Sequence, residues 1–101
     1  MIKHIVMWTI REGDTPRAKV ERMAEVKARL SALPEEISEI ESLEVFFNSP
    51  LAVPDNFDVL LSATFRTWAD LEAYQKHPAH VRVAEYIKNI RHQRAVVDYE
   101  Y

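Results

Sequence analysis

The chain has 101 residues, 48% of them apolar, which is enough for one compact domain with a single modest core. Its net charge is -3 and its 13 basic residues are interspersed with 16 acidic ones, so nothing in it marks a nucleic-acid partner. With no cysteine there is neither a disulfide nor a thiol nucleophile, and one glycine, Gly13, cannot make a glycine-rich phosphate loop.

Residues Ile2 to Ile10 alternate, with Ile2, His4, Val6, Trp8 and Ile10 on one side and Lys3, Ile5, Met7 and Thr9 on the other, which predicts a strand. Thr15-Pro16 supplies an N-cap and a first-turn proline for a helix expected to run to about Leu33, where Pro34 stops it. Val20, Met23, Val26, Leu30 and Leu33 form its expected buried stripe. A second strand fits Glu39 to Phe47, with Leu43, Val45 and Phe47 in register. Asn48 to Asn56 carries Pro50 and Pro54 and reads as an irregular loop. From Phe57 to Arg66 strict alternation predicts a third strand with a wholly apolar face. Thr67 then caps a helix carrying Trp68, Leu71 and Tyr74, which breaks near His77. A further helix starts at Pro78 and is expected to bury Val83, Ala84, Ile87 and Ile90, before a last strand from Arg94 to Tyr101.

The order β-α-β-β-α-β is that of a ferredoxin-like α+β subunit, a four-stranded antiparallel sheet with helices on one face. The other face is expected to show Ile5, Met7, Leu60, Phe46 and Val96, a larger apolar patch than monomers usually carry. A second copy of the chain is the simplest cover, and Asp58, Ser62 and Thr64 would need partners there. With no basic-then-apolar leader and no long apolar run, the expected setting is the cytoplasm, without a membrane partner.

The segment Tyr74-Gln75-Lys76-His77-Pro78-Ala79-His80-Val81 sets a phenol and two imidazoles around a proline break. Proline disfavours helix at His77 but suits the first turn of a new one. A break of this kind can aim side chains from two helices into one space, and imidazole titrates nearest neutrality. A kinked helix with capping or solvated histidines has the same pattern.

The element order, the opening Ile2-Lys3-His4-Ile5-Val6, the pattern Tyr74-x-x-His77-Pro78-x-His80-Val81 and the closing Val97-Asp98-Tyr99 together resemble the stress-responsive α/β-barrel family, Dabb, along essentially the whole chain. The resemblance implies one domain over residues 1–101 and a homodimer whose two sheets close into a barrel with the helices outside. Many members of that family have no assigned activity; its plant members include stress-induced stable oligomers and a polyketide cyclase. The cyclase resembles this chain at Tyr74 and His80, its catalytic pair, and at His4, which lines the same pocket. Its additional pocket histidine corresponds to Val59 here, and its helix-one aromatics to Met23 and Val26, so its substrate does not transfer.

If Tyr74 and His80 converge, His80 can remove an acidic proton between two carbonyls while the Tyr74 phenol steadies the enolate. Neither a cofactor nor a metal is needed. The strand residues His4, Val6, Trp8, Val59 and Leu61 are expected to line the pocket. From the last helix, Val83, Ala84 and Ile87 should join them. His4 shares a strand face with Val6 and Trp8, so its imidazole needs a buried partner: Tyr74, His80 or a backbone carbonyl. His77 and His80 with nearby Glu85 lack the spacing of a zinc site. The chain is thus expected to bind a small apolar carbonyl or aromatic compound, its molecular activity unassigned. The alternative is a cofactor-free, polyketide-cyclase-like lyase or isomerase.

Overall fold

Strand β1 (Ile2–Ile10) lies inside the sheet, and its even-numbered side chains are all buried, His4 among them. The computed structural model describes residues 1–101, in the order β1, α1 (Pro16–Ser31), α2 (Leu33–Glu36), β2 (Ser42–Phe47), β3 (Val59–Phe65), α3 (Trp68–Lys76), α4 (Pro78–Ile90) and β4 (Arg91–Glu100). The sheet is antiparallel in the order β2-β3-β1-β4, the expected ferredoxin-like arrangement, with the helices packed on one side.

Helix α1 begins as its sequence dictates: the Thr15 hydroxyl accepts the Ala18 N–H at 3.2 Å, and Pro16 occupies the first turn. Gly13 is set by proximity, because a Cβ there would collide with that of Ala18. Val26, Leu30 and Leu33 are buried and Met23 is partly so, whereas Val20 is 65% exposed. Val20 is about 100° around the helix from the stripe. Lys19 takes the inward place, its ammonium 3.3 Å from Asp58. Pro34 does not end a helix; it opens the short α2, whose Leu33 is buried.

Three strand starts differ from expectation. β2 begins at Ser42, since Ile37 to Ile40 finish the turn after α2. β3 begins at Val59, although the Asp58 backbone still bonds to Trp8 and Asn48; the Asp58 carboxylate accepts the Ile10 N–H at 2.8 Å and pairs with Lys19, so it does not lie on the open face. β4 begins at Arg91, directly after α4, without a connecting turn. Its alternation is broken near its start, where Trp8 faces Arg94 but Ile10 faces Arg91. One residue is therefore extra in β4, a bulge that periodicity alone does not reveal.

Directly paired residues share a face of the sheet. The pairs Ile5–Val97, Met7–Ala95, Met7–Leu60 and Phe46–Leu60 thus define the uncovered side. Val97, not Val96, belongs there; Val96 faces Val6 on the helical side. Phe46, Val97 and Tyr99 are all exposed. Thr64 is mostly buried and shares a hydrogen bond with Ser42 across the β2–β3 pair. Trp68 is also exposed, so the inner side of α3 is carried by Leu71 and Tyr74 alone.

Candidate functional site

The chain turns between α3 and α4 at His77, whose φ of -62° and ψ of 135° are the extended geometry favoured before proline. His77 Nδ1 accepts the Ala79 N–H at 3.0 Å and so caps α4. The capping role anticipated for a histidine here is therefore filled by His77, which takes no part in the cavity. The break swings the first turn of α4 against the last turn of α3, bringing the rings of Tyr74 and His80 to 4.4 Å between centres.

His80 Nδ1 lies 3.0 Å from the Gln75 carbonyl oxygen. A carbonyl only accepts, so Nδ1 carries the hydrogen and the lone pair of the neutral ring is on Nε2. Burial pulls the His80 pKa down; the Gln75 carbonyl opposes this, while His4 and Arg94 act in the same direction as burial. Neutral His80 is thus the form the fold favours, as a general base requires. The Tyr74 hydroxyl has no hydrogen-bond partner in the chain although it is fully buried. Burial holds the phenol protonated far above neutrality, an effect that Arg94 partly offsets.

His4 completes an aromatic row, its ring centre 6.0 Å from that of Tyr74. Its partner is none of the three expected. Nδ1 is hydrogen-bonded to the carboxylate of Asp98, which lies directly opposite on β4. A carboxylate accepts, so His4 donates through Nδ1 and turns Nε2 away from the strand pair. This bond depends on the β1–β4 register, which the sequence does not display.

A cavity of about 300 Å³ adjoins this row, near the lower end of the range for small-molecule sites. His4, Val6, Trp8 and Leu61 supply its sheet side, with Tyr74 from α3 and His80, Val83, Ala84 and Ile87 from α4. Val59 does not line it: it is packed in the core at the end of β3, opposite Trp8 and Phe47. Ala84 lines the cavity but is otherwise exposed, so it belongs to the rim and not to the buried stripe of α4. Ile90 is only partly buried, at the helix end. Four further wall residues went unread in the sequence: Leu30, Lys88, Arg91 and Arg94. Leu30 had the signal of a plain core position. Lys88 had a signal, the helical spacing it shares with His80 and Ala84, whereas the two arginines had none, because the bulge hides which way Arg91 and Arg94 point.

The model of the stress responsive A/B barrel domain matches residues 2–101. Among solved structures, the chain is similar to a dimeric protein of unknown function with a ferredoxin-like fold from Bacteroides fragilis NCTC 9343. The two share 31% identity with a TM-score of 0.88, over 99% of this chain and 95% of that one. It is also similar to a dimeric ferredoxin-like protein of unknown function from Thermobifida fusca, at 26% identity and TM-score 0.83, over 99% and 90%. A hydroxynitrile lyase from Passiflora edulis shares the fold at 17% identity, with TM-score 0.80 over 97% and 90%. Among curated proteins no match is found.

Proposed function

Because the chain belongs to the stress responsive A/B barrel domain family, we propose that it is a homodimer with one ligand chamber per subunit, where a small apolar carbonyl compound undergoes proton transfer without a cofactor. The dimer rests on the exposed apolar sheet face and on the dimeric state described for the Bacteroides and Thermobifida proteins. The chemistry rests on one observation: an unpartnered phenol O–H beside a neutral imidazole, both on the wall of an apolar cavity.

In this reading His80 Nε2 takes a proton from a carbon flanked by two carbonyls. The C–H electron pair moves into the adjacent C=O, and the Tyr74 hydroxyl donates a hydrogen bond to the enolate oxygen. The enolate carbon then closes on a second carbonyl of the same molecule, whose oxygen takes the proton back from the His80 imidazolium as its C=O becomes C–OH, or is itself reprotonated by that imidazolium. The phenol is sealed from water in the ligand-free chain, so entry of the ligand has to spread the wall slightly, a side-chain adjustment common on binding. The His4–Asp98 pair holds the floor beside Tyr74.

The direct experiment offers short β-tetraketones, in which a carbon flanked by two carbonyls can close a six-membered ring on the remote carbonyl, to wild type and to His80→Ala and follows ring closure by chromatography. A loss of roughly 10²- to 10⁴-fold is expected for a missing general base. Turnover that survives unchanged removes His80 from that role.

A further inference from the structure

At the end of the cavity remote from His80, the wall is no longer apolar. Lys88 and Arg91 line it there, with Arg94 opposite Trp8 and near enough to Tyr74 and His80 for its charge to bear on both; none of the three is ion-paired within the chain. Of the two acids on their face of β4, Asp98 is held by His4, and Glu100, at the far end of the strand, accepts from the Trp68 indole N–H. Residues three apart on a regular strand point to opposite faces. The bulge cancels this: Arg91 lies opposite Ile10 and Arg94 opposite Trp8, both inward-facing residues of β1, so both arginines stand on the helical side. The bulge itself is pinned, since the Gln93 N–H donates to the Thr9 hydroxyl at 2.8 Å and the Arg11 N–H to the Ile90 carbonyl at 2.9 Å. Lys88 in the last turn of α4 also suits the helix carbonyls. That explanation does not reach Arg94, well along the strand.

We propose that this end of the chamber is an anion subsite, and that the ligand is an amphiphilic acid whose charged head sits among Lys88, Arg91 and Arg94. This rests on the reading of the cavity as the reaction chamber and names its substrate class. His80 and Lys88 are eight residues apart on one helix, roughly 12 Å along its axis, and Val83, Ala84 and Ile87 lie between them. The matching ligand has its reacting carbonyl at one end, an apolar body, and a carboxylate or phosphate at the other. Guanidinium groups suit such heads through paired N–H donors.

The test is calorimetric titration of the full-length chain with octanoate, octyl phosphate, octan-1-ol and octylamine, which share one apolar tail. None has a proton between two carbonyls, so the titration reads the subsite and not the reaction. The anions are expected to bind about tenfold tighter than the alcohol, with the amine weakest. The tighter of the two anions identifies the head group. That preference should vanish in the Arg91→Gln/Arg94→Gln double variant and shrink in Lys88→Gln, an exposed position that leaves the fold intact. It should also weaken as salt rises from about 50 to about 500 mM. Equal binding of octanoate, octyl phosphate and octanol overturns the subsite, as does a preference that persists in both variants. Either result leaves the His80 experiment standing, and a failure of turnover leaves the titration standing.

Discussion

The rings of Tyr74 and His80 stand 4.4 Å apart although six positions and a proline separate them in the chain. In a continuous helix, residues six apart differ by about 600°, which leaves them about 120° apart around the axis and on different faces. The break at His77 is what brings them together.

Tyr74→Phe should make the protein more stable and less active. The substitution keeps the ring packed against Phe65, 5.0 Å away, and removes a buried hydroxyl that no group in the chain satisfies. A gain of about 1 kcal/mol is expected, since burying an unmet donor costs that much or more. Urea denaturation of the two proteins measures it; a loss of stability would mean that the hydroxyl has a partner.

Titration of His80 should leave a signature in both stability and rate. Its pKa in the fold lies below the ordinary 6.5, so the unfolded chain binds the proton first. The contribution is complete above about pH 6.5 and is lost as the pH falls from there through the lowered value in the fold. Comparing wild type with His80→Gln by denaturation between neutral and mildly acidic pH isolates it, and the difference should narrow on the acid side. Turnover should rise with pH through the same lowered value and be level at neutrality.

Asp98→Ala should cost about 1 to 3 kcal/mol, because it strands a buried imidazole without its acceptor. Asp98→Asn, which keeps an acceptor oxygen, should recover part of this. Thermal denaturation of the two variants distinguishes them, and equal melting for both would show that the carboxylate matters only through its charge.

Val97→Asp should separate the proposed homodimer into monomers. Val97 is 54% exposed and lies opposite Ile5 on the apolar sheet face, where an unpaired carboxylate in an interface is strongly unfavourable. Sedimentation velocity reads the outcome; a variant that still sediments as a dimer places the contact on another surface.

Wherever one residue's surroundings are set by its own periodicity, the sequence was sufficient. The alternation of β1, the Thr15 and Thr67 caps and the proline at the start of α4 all appear where the pattern requires them. The misreadings come from relationships between segments. Val20 fits an apolar spacing, but Lys19 holds the inward position through Asp58, an acid distant in the chain at the start of β3. Val96 and Val97 are interchangeable as strand residues, and only the pairing with β1 assigns their faces. At the site, Tyr74, His80 and His4 were legible as chemistry, whereas Asp98 depends on the β1–β4 register and Arg91 and Arg94 on a bulge that leaves no mark in composition.

Strand β4 has two audiences. Arg94 lines the chamber and Asp98 holds His4 on the helical side, while Ala95, Val97 and Tyr99, alternating with them, look outward from the uncovered side. The proposed docking of a twin and the proposed occupancy by a small molecule would therefore bear on one backbone from opposite directions. Where the two events are linked, thermodynamics makes the linkage mutual: whatever factor association lends to ligand affinity, the ligand returns to association.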